Sequence, residues 1–353
     1  MNPVERSRGV IWGAVVMMCV LLGATPVLAV DVGTVVGQVS QSQYQTYQVT
    51  VQNMGLGLYG GTAYNQDYRS RDNGSLGNQE ARLYLTNMFT NMGLSVSLQG
   101  SYNNVVAELP GTQTPDKVYI VGGHYDHVGG DRPGGDDNAS GTAGVLEAAR
   151  VLSQYQFKST IRFIGFNAEE EGLLGSSDYV STLTPGQRQQ IAGMINLDMI
   201  LRPGWDSQPS HVKDLNLASG DPSWASTFVS AAGTYVPSLV INPDTEDHYG
   251  GSDQVPFEDA GIPALLAIEN TAGEIWAHPS SNAYYHTWND ASDRAANDPN
   301  NPSHVTYDYA FASDVVRATV GTLAGEAMLV PEPATMAFLA LGGIGMLARR
   351  RRK

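Results

Sequence analysis

Residues 122–149 read GGHYDHVGGDRPGGDDNASGTAGVLEAA, and the rest of the chain is organised around this stretch. The apolar run that precedes it predicts a strand buried on both faces, and the small residues after Asn138 predict the start of a helix. His124 and Asp126 are two residues apart on the strand, so their side chains share a face. Imidazole and carboxylate groups beside a Gly-rich loop indicate a metal site, for example for zinc. The alternative, a solvated turn with a helix cap, explains Asn138 but neither His124 nor Asp126.

Apolar strands alternate with helices along the rest of the chain. Strand patterns occur at residues 94–98, 104–109, 118–121, 160–166, 194–197 and 263–269. Helical spacing occurs at residues 41–53, 78–92, 140–152, 185–191 and 305–327. This alternation predicts an α/β fold: a three-layer sandwich with a mixed, mostly parallel central sheet and helices on both faces. In such a fold the chemistry is expected at the carboxyl ends of the strands.

Acidic residues follow two of the predicted strands, because Glu169 and Glu170 end one strand and Asp198 ends another. Loops add Asp137 and His286. Taken singly, these residues are as typical of helix caps, solvated acidic runs and surface histidines as of ligands. Carboxylates that face one another repel unless a cation lies between them. Two divalent cations would remove that repulsion.

The composition excludes several classes of function. The 353 residues are 42% hydrophobic and 16% charged, which indicates a globular protein. The formal net charge is −15, and seven of the 20 Lys and Arg residues lie near the two ends. An acidic surface of this kind argues against nucleic acid and anionic membranes as partners. The one cysteine, Cys19, lies in the N-terminal leader, so metal ligands must be His, Asp or Glu and a thiolate nucleophile is excluded.

Both ends of the chain are predicted to be targeting segments. Residues 1–29 have the charged, apolar and small-residue regions of a secretory signal, with cleavage expected after Ala29. Near the other end, residues 330–333 read VPEP and precede the apolar residues 334–348 and the Arg-rich residues 349–353. The apolar run is shorter than the about 20 residues that a spanning helix needs. An ordinary tail anchor is one interpretation, but the order of these features resembles the PEP-CTERM sorting signal. That resemblance implies an exosortase-type sorting machinery as partner, a Gram-negative host, and export to the cell surface or extracellular matrix. The membrane contact would be transient.

Six segments resemble one enzyme family in order and spacing over residues 76–327. They read GGHYDHVG, GGDDNASGTAGVLEAAR, FIGFNAEEEGLLGS, INLDM, SDQVPFEDAGIPA and YYHTWND. They resemble the co-catalytic dizinc aminopeptidases of the bacterial leucyl aminopeptidase type, whose relatives include glutamate carboxypeptidase II and the glutaminyl cyclases. The resemblance implies a secreted peptidase with peptide substrates and two Zn²⁺ per chain.

The resemblance also implies a set of zinc ligands. His124 and Asp198 are expected to bind one zinc, Glu170 and His286 the other, and Asp137 to bridge both.

Three further residues receive roles from the same resemblance. Asp126 is expected to orient His124, Glu169 to act as general base and acid, and Tyr285 to help hold the tetrahedral oxyanion. The chain departs from the family at Gln254, where many relatives have His, and this puts a contact in the pocket wall in doubt. Asn138 replaces an acid found in some relatives. The other histidines are interpreted as surface residues or as neighbours of the ligands: His127, His211, His248, His278 and His304.

The predicted organisation is a signal peptide at residues 1–29, an N-terminal extension without an assigned role at 30–75, the peptidase domain at 76–328 and the sorting signal at 329–353. The predicted function is that of a secreted zinc aminopeptidase. The alternatives are a carboxypeptidase, which would need basic residues such as Arg132 or Arg202 for the substrate carboxylate, a glutaminyl cyclase, or a non-catalytic matrix or surface binding protein. Residues 290–298 are interpreted as an exposed acidic loop, with a calcium site as the alternative.

Overall fold

The computed structural model describes residues 30–56, 70–130, 132–203, 214–244, 251–269, 284–293 and 307–330. The helices are α1 Val32–Val36, α2 Gln41–Gln52, α3 Leu76–Asn91, α4 Ala139–Leu152, α5 Leu174–Thr182, α6 Pro185–Gln190, α7 Pro222–Tyr235, α8 Val255–Asp259 and α9 Tyr309–Glu326. The strands are β1 Ser95–Gln99, β2 Asn104–Leu109, β3 Thr114–His124, β4 Ser159–Phe166, β5 Ile191–Leu197, β6 Asp214–Ala218, β7 Val240–Asp244 and β8 Ala264–Ile268.

The predicted leader and the predicted C-terminal apolar segment lie outside the described residues. Within the described part of the chain, each helix is too short or too polar to span a bilayer.

The strands form one eight-stranded sheet in the order β1-β2-β4-β3-β5-β8-β6-β7. The four central strands, β4, β3, β5 and β8, are parallel, whereas β1, β2 and β4 pair antiparallel and β6 runs antiparallel to β8. Parallel neighbours bring their carboxyl ends to one edge of the sheet, and His124 at the end of β3 pairs with Phe166 at the end of β4. The predicted mixed, mostly parallel sheet is confirmed.

Apolar side chains cover both faces of the sheet, as a central parallel strand requires. On β3, Tyr119 and Val121 belong to the large cluster that packs against α4, α7 and α9. Val118 and Ile120 point to the opposite face, into a smaller cluster that includes Phe166 and residues of α5 and α8. The two clusters are the inner surfaces of the two helical layers, and they confirm the predicted sandwich.

Helix α4 begins very close to the end of β5. Asn138 caps the helix through its Oδ1, which accepts the N–H of Gly141 at 2.8 Å, while its Nδ2 donates to the carbonyl of Leu197 at 2.9 Å. A Cβ at Gly141 would collide with that same carbonyl oxygen, so glycine is required for this approach. The contact places the loop before α4 beside the residue that follows β5, which is Asp198.

The N-terminal extension contributes to the main core. Val35, Tyr44, Tyr47 and Val51 are buried in the large cluster together with residues of α4 and α9. The domain boundaries proposed from the sequence remain a prediction. Elements that the sequence did not predict are α1, α5 and the run from β6 through α7 to β7, where small and polar residues weaken the apolar pattern.

Candidate metal centre and active site

Three neighbouring strands deliver the predicted site residues to one edge of the sheet. His124 is the last residue of β3, Glu169 and Glu170 follow β4, and Asp198 follows β5 directly. His124 is 1% exposed and Asp198 is 6% exposed, so both are held away from solvent. Because these strands are parallel neighbours, residues far apart in sequence come within a few ångströms.

His124, Asp137 and Asp198 form a first group of metal-ligating atoms. The Nε2 atom of His124 lies 3.4 Å from Oδ1 of Asp137 and 3.4 Å from Oδ1 of Asp198. One nitrogen and two carboxylate oxygens of these residues lie within 4.8 Å of one another. A tetrahedral cation site needs such a cluster of converging ligands.

A second group shares one residue with the first. The Nε2 atom of His286 lies 3.1 Å from Oδ2 of Asp137 and 3.0 Å from Oε2 of Glu170. Asp137 therefore turns one oxygen toward each group. A carboxylate between two cations would present its oxygens in this way.

Two buried atoms of these groups have no hydrogen-bond partner. They are Oδ1 of Asp198 and Nε2 of His286. Oxygens of Asp137 and Glu170 lie 3.0–3.1 Å from Nε2 of His286, but not in hydrogen-bond geometry. Buried polar atoms are normally satisfied, and an exception calls for an explanation such as a bound ion. Both atoms are zinc-type donors that point into the groups just described, so the residues fit a metal.

The electrostatics of the site also indicate that a cation is needed. Burial, with the nearby Asp137 carboxylate, raises the pKa of Glu170 to about 7, and burial likewise raises the pKa of Glu169 well above its ordinary value. Burial alone would lower the pKa of His286, but its contacts with Asp137 and Glu170 outweigh it and raise the pKa to about 10. Without a metal, the excess of carboxylates thus draws protons onto the site. A divalent cation would take the place of those protons.

Glu169 belongs to a further group with His124 and Glu170. Its Oε2 lies 4.0 Å from Nε2 of His124, a longer distance than that of either aspartate. The residue is 9% exposed and follows Ala168, which has a φ of 55°. The left-handed region is unfavourable for residues other than glycine, and such residues concentrate at functional sites. Met199 and His286 share this conformation, with φ of 50° and 54°.

Asp126 links two of the strand ends. Its carboxylate accepts the backbone N–H of Glu169 at 3.2 Å and that of Glu170 at 3.3 Å. Its Oδ1 is 3.6 Å from Nδ1 of His124, while the backbone carbonyl of Asp126 is nearer, at 3.2 Å. Asp126 can therefore influence the orientation of His124 and of both glutamates.

Asp198 is held by a hydrogen bond, and Tyr285 is held by ring stacking. Ser252 donates to Oδ2 of Asp198 at 2.6 Å and accepts from Asn196 at 2.7 Å. Gln254, where the sequence departs from the family, is buried near the same asparagine. The ring of Tyr285 stacks on the imidazole of His286 with centroids 3.8 Å apart.

Asp290 is a residue of this region that sequence reasoning missed. The interpretation of residues 290–298 as an exposed acidic loop is wrong for Asp290, which is 2% exposed. Its carboxylate accepts the N–H of Asp136 at 2.9 Å, the N–H of Asp137 at 3.1 Å and the hydroxyl of Tyr307 at 2.5 Å. The loop that carries Asp137 is thus fixed through its backbone. The available signal was the position of Asp290 within the YYHTWND segment.

Arg71 is the second missed residue, and it is fully buried. Its guanidinium donates to the carbonyls of Tyr125 and Gly134 at 2.9 Å each. The backbone N–H of Arg71 donates to Nε2 of His127 at 3.0 Å, so His127 has a structural partner. The remaining histidines, His211, His248, His278 and His304, lie outside the described residues.

The comparison with protein families gives two matches. Residues 104–306 match the family model Peptidase family M28, and residues 329–353 match the PEP-CTERM protein-sorting motif. The first match covers more than half of the chain and includes all of the predicted site residues.

Curated relatives are similar to part of the chain. Aminopeptidase YwaD of Bacillus subtilis is 37% identical over 180 residues, which is 50% of this chain and 36% of that protein. A probable zinc metalloprotease of Pyrenophora tritici-repentis is 45% identical over 103 residues, which is 27% of this chain and 24% of that protein. The chain thus matches about a third or less of the length of these relatives.

Solved structures share the fold over most of the chain. The Legionella pneumophila LapA aminopeptidase has a TM-score of 0.65 at 19% identity and covers 84% of this chain and 74% of its own. A glutaminyl cyclase of Porphyromonas gingivalis has a TM-score of 0.60 at 17% identity and covers 82% of this chain and 99% of its own. At these identities the similarity concerns the fold alone.

Proposed function

Because the chain belongs to peptidase family M28, we propose that it is a zinc-dependent aminopeptidase that removes N-terminal residues from peptides. The observation that carries the proposal is the position of Asp137, which turns one oxygen toward His124 and the other toward His286. Imidazole nitrogens and carboxylate oxygens are the donors of catalytic zinc sites that lack cysteine. The names of the two curated relatives, an aminopeptidase and a probable zinc metalloprotease, support the same activity.

Each of the two groups would hold one zinc ion. His124 and Asp198 are the proposed ligands of the first ion, Glu170 and His286 those of the second, and Asp137 is proposed to bind both. When bound, such ions lower the pKa of a water molecule and polarise the scissile carbonyl.

Glu169 is the proposed general base and acid. A carboxylate that shuttles protons must lie within reach of the reacting atoms, and Glu169 forms a group with His124 and Glu170 at this edge of the sheet. It would take the proton of the attacking water and give it to the amine that leaves. Its greater distance from His124 supports a role as base and not as ligand.

Asp126 and Tyr285 are proposed to assist. Asp126 bonds to the backbone of both Glu169 and Glu170, so it can hold the base and a ligand in a fixed relation while also facing His124. Tyr285 stacks on His286, and its hydroxyl is proposed to donate to the oxyanion of the tetrahedral intermediate.

The alternatives are less well supported. A carboxypeptidase needs a cation for the substrate carboxylate, but Arg202 is buried, with its guanidinium 4.1 Å above the ring of Tyr284. A glutaminyl cyclase of the related type tends to use a single zinc, whereas two ligand groups share Asp137. A binding protein without catalysis is disfavoured, since the proposed ligands converge and Glu169 lies beside them.

The sorting motif indicates an exported protein that is directed to the cell surface. An exosortase-type machinery as partner, a Gram-negative host, a matrix location and a transient membrane contact are further parts of the proposal.

The activity is tested with pairs of substrates that differ at one end. Purified protein is assayed on aminoacyl-nitroanilides with a free or an acetylated amine, and on peptides with a free or an amidated carboxyl end. We expect hydrolysis only of substrates with a free amine, whatever the state of the carboxyl end. Release of C-terminal residues would replace the proposal by a carboxypeptidase, and formation of pyroglutamate from an N-terminal glutamine would replace it by a cyclase.

A further inference from the structure

Helix α2 lies directly beneath the loop that carries Asp137. It presents Tyr44, Tyr47 and Val51 to the core, and the adjacent Gln48 and Gln52 are also buried, at 0% and 1% exposure. A helix that only filled the core would be expected to use apolar residues at such positions, because a buried amide costs free energy unless its donors and acceptors are paired. The two amides are paired, and two of their partners, Gly135 and Ser292, lie in the segments that carry Asp137 and Asp290.

Gln48 bonds to the loop on one side of Asp137. Its Nε2 donates to the carbonyl of Gly135 at 2.7 Å, and its Oε1 accepts the hydroxyl of Tyr309 at 2.9 Å. Gly135 is two residues before Asp137. The amide group is thus fixed at its other end by α9 while it holds the backbone of the loop.

Gln52, one turn later on α2, bonds to the segment on the other side. Its Oε1 accepts the backbone N–H of Ser292 at 2.8 Å and a hydrogen bond from Gln48 at 3.2 Å. Ser292 is two residues after Asp290, whose carboxylate accepts the N–H of Asp137. The Gln48–Gln52 pair therefore joins the two segments that together hold Asp137.

The backbone between these segments has little freedom. The N–H of Gly135 donates to the carbonyl of Asp290 at 2.8 Å, and a Cβ at Gly135 would meet Oε1 of Gln52 at 2.7 Å. The loop thus packs closely against α2, and leaving it would break these hydrogen bonds.

We propose that Gln48 and Gln52 are positioning residues, which hold the Asp137 carboxylate between the two metal groups. This inference rests on the proposed function, because it assigns to Asp137 the binding of both ions. It also gives a role to the N-terminal extension, which supplies a third contact through Arg71 to the carbonyl of Gly134. The extension is then part of the metal centre.

The test compares Gln48→Met and Gln52→Met with wild type and with Gln45→Met, a control on the exposed face of α2. Methionine is nearly isosteric with glutamine but lacks the donor and the acceptor. The readouts are the dissociation constants of zinc, measured by competition with a chelator, and kcat and KM for an aminoacyl-nitroanilide. Loss of a group that orients a ligand costs about 10–100-fold in metal affinity or activity. We expect a loss of that size in zinc affinity and kcat for both core variants, with KM nearly unchanged, and no change for Gln45→Met.

Glutamate variants separate the two roles. Gln52→Glu keeps an acceptor for the N–H of Ser292 and should lose less zinc affinity than Gln52→Met. Gln48→Glu loses the donor to the Gly135 carbonyl and should behave like Gln48→Met. If Gln48→Met does not fold, Gln48→Asn, which is too short to reach that carbonyl but remains polar, gives the same comparison.

Three outcomes would overturn the inference. The first is a Gln48→Met protein that unfolds more easily but binds two zinc ions with wild-type affinity and has wild-type kcat, because the role is then structural. The second is an equal effect of Gln48→Glu and Gln52→Glu. The third is a wild type that binds no zinc, in which case the proposed function fails as well.

Discussion

Replacing Asp290 by alanine should destabilise both the fold and the metal centre. The carboxylate of Asp290 is 2% exposed and accepts three hydrogen bonds, two from the backbone of Asp136 and Asp137 and one from Tyr307. A hydrogen bond to a charged group contributes about 1.5–3 kcal/mol. Loss of the two backbone bonds alone should therefore lower the free energy of unfolding by about 3–6 kcal/mol.

Chemical denaturation in the presence of a chelator measures this loss directly. Tyr307→Phe removes one of the three bonds and should cost about 1.5–3 kcal/mol. Asp259→Ala, at an exposed position, should stay within about 0.5 kcal/mol of wild type. Relative to wild type, Asp290→Ala should lose more free energy of unfolding in excess zinc than in chelator. Every tenfold decrease in zinc affinity adds about 1.4 kcal/mol to the loss when zinc is in excess.

A loss of less than about 1 kcal/mol in Asp290→Ala would contradict this prediction, since two buried N–H groups cannot lose a charged acceptor at so small a cost. An equal loss of free energy of unfolding with and without zinc would also contradict the prediction, because Asp290 would then have no influence on the position of Asp137.

Three further predictions concern neighbouring residues. Burial and the Asp290 carboxylate raise the pKa of Asp136 to about 7, so its protonated carboxyl stabilises the metal-free fold at low pH and this contribution is lost as the pH rises through about 7. Between pH 4.5 and 7.5, the free energy of unfolding of Asp136→Asn should therefore fall by at least about 1 kcal/mol less than that of wild type, as followed by denaturation in chelator. Gly141→Ala should destabilise the protein by more than about 2 kcal/mol because its Cβ would collide with β5, whereas Gly325→Ala, which has open space, should be neutral or stabilising in thermal unfolding. Tyr285→Phe should lower kcat by about 100–1,000-fold in steady-state assays without loss of zinc, and unchanged kcat would exclude a role at the oxyanion.

The sequence was sufficient to predict the centre of the sheet because central parallel strands leave an unambiguous pattern. The buried run at residues 118–121 is continuous, and the run that became β5 is interrupted only by Asn196 between Met194 and Leu197. His124 ends the first of these strands and Asp198 follows the second. The run from β6 to β7 was not predicted. Helix α7 is rich in Ser, Thr and Ala, and β7, on the edge of the sheet, contains Pro243, which weakens the strand pattern.

The candidate ligands could be predicted from strand ends and family motifs, but their supports could not. Asp290, Gln48 and Gln52 act on the backbone of a loop, and the pattern of a sequence does not show which loops are neighbours in space. The buried glutamines of α2 resemble any polar helix residue until Gly135 and Ser292 are placed beside them. The role of Arg71 could not be predicted either, because its hydrogen-bond partners are backbone carbonyl groups, which every residue has.

Asp137 is proposed to bind two zinc ions at once, and anomalous diffraction at the zinc edge, from crystals grown with zinc, tests this binding mode. We expect two peaks per chain, one in contact with His124 and Asp198 and the other with Glu170 and His286, each bound to a different oxygen of Asp137. A single peak, or two peaks of which only one contacts Asp137, would contradict it.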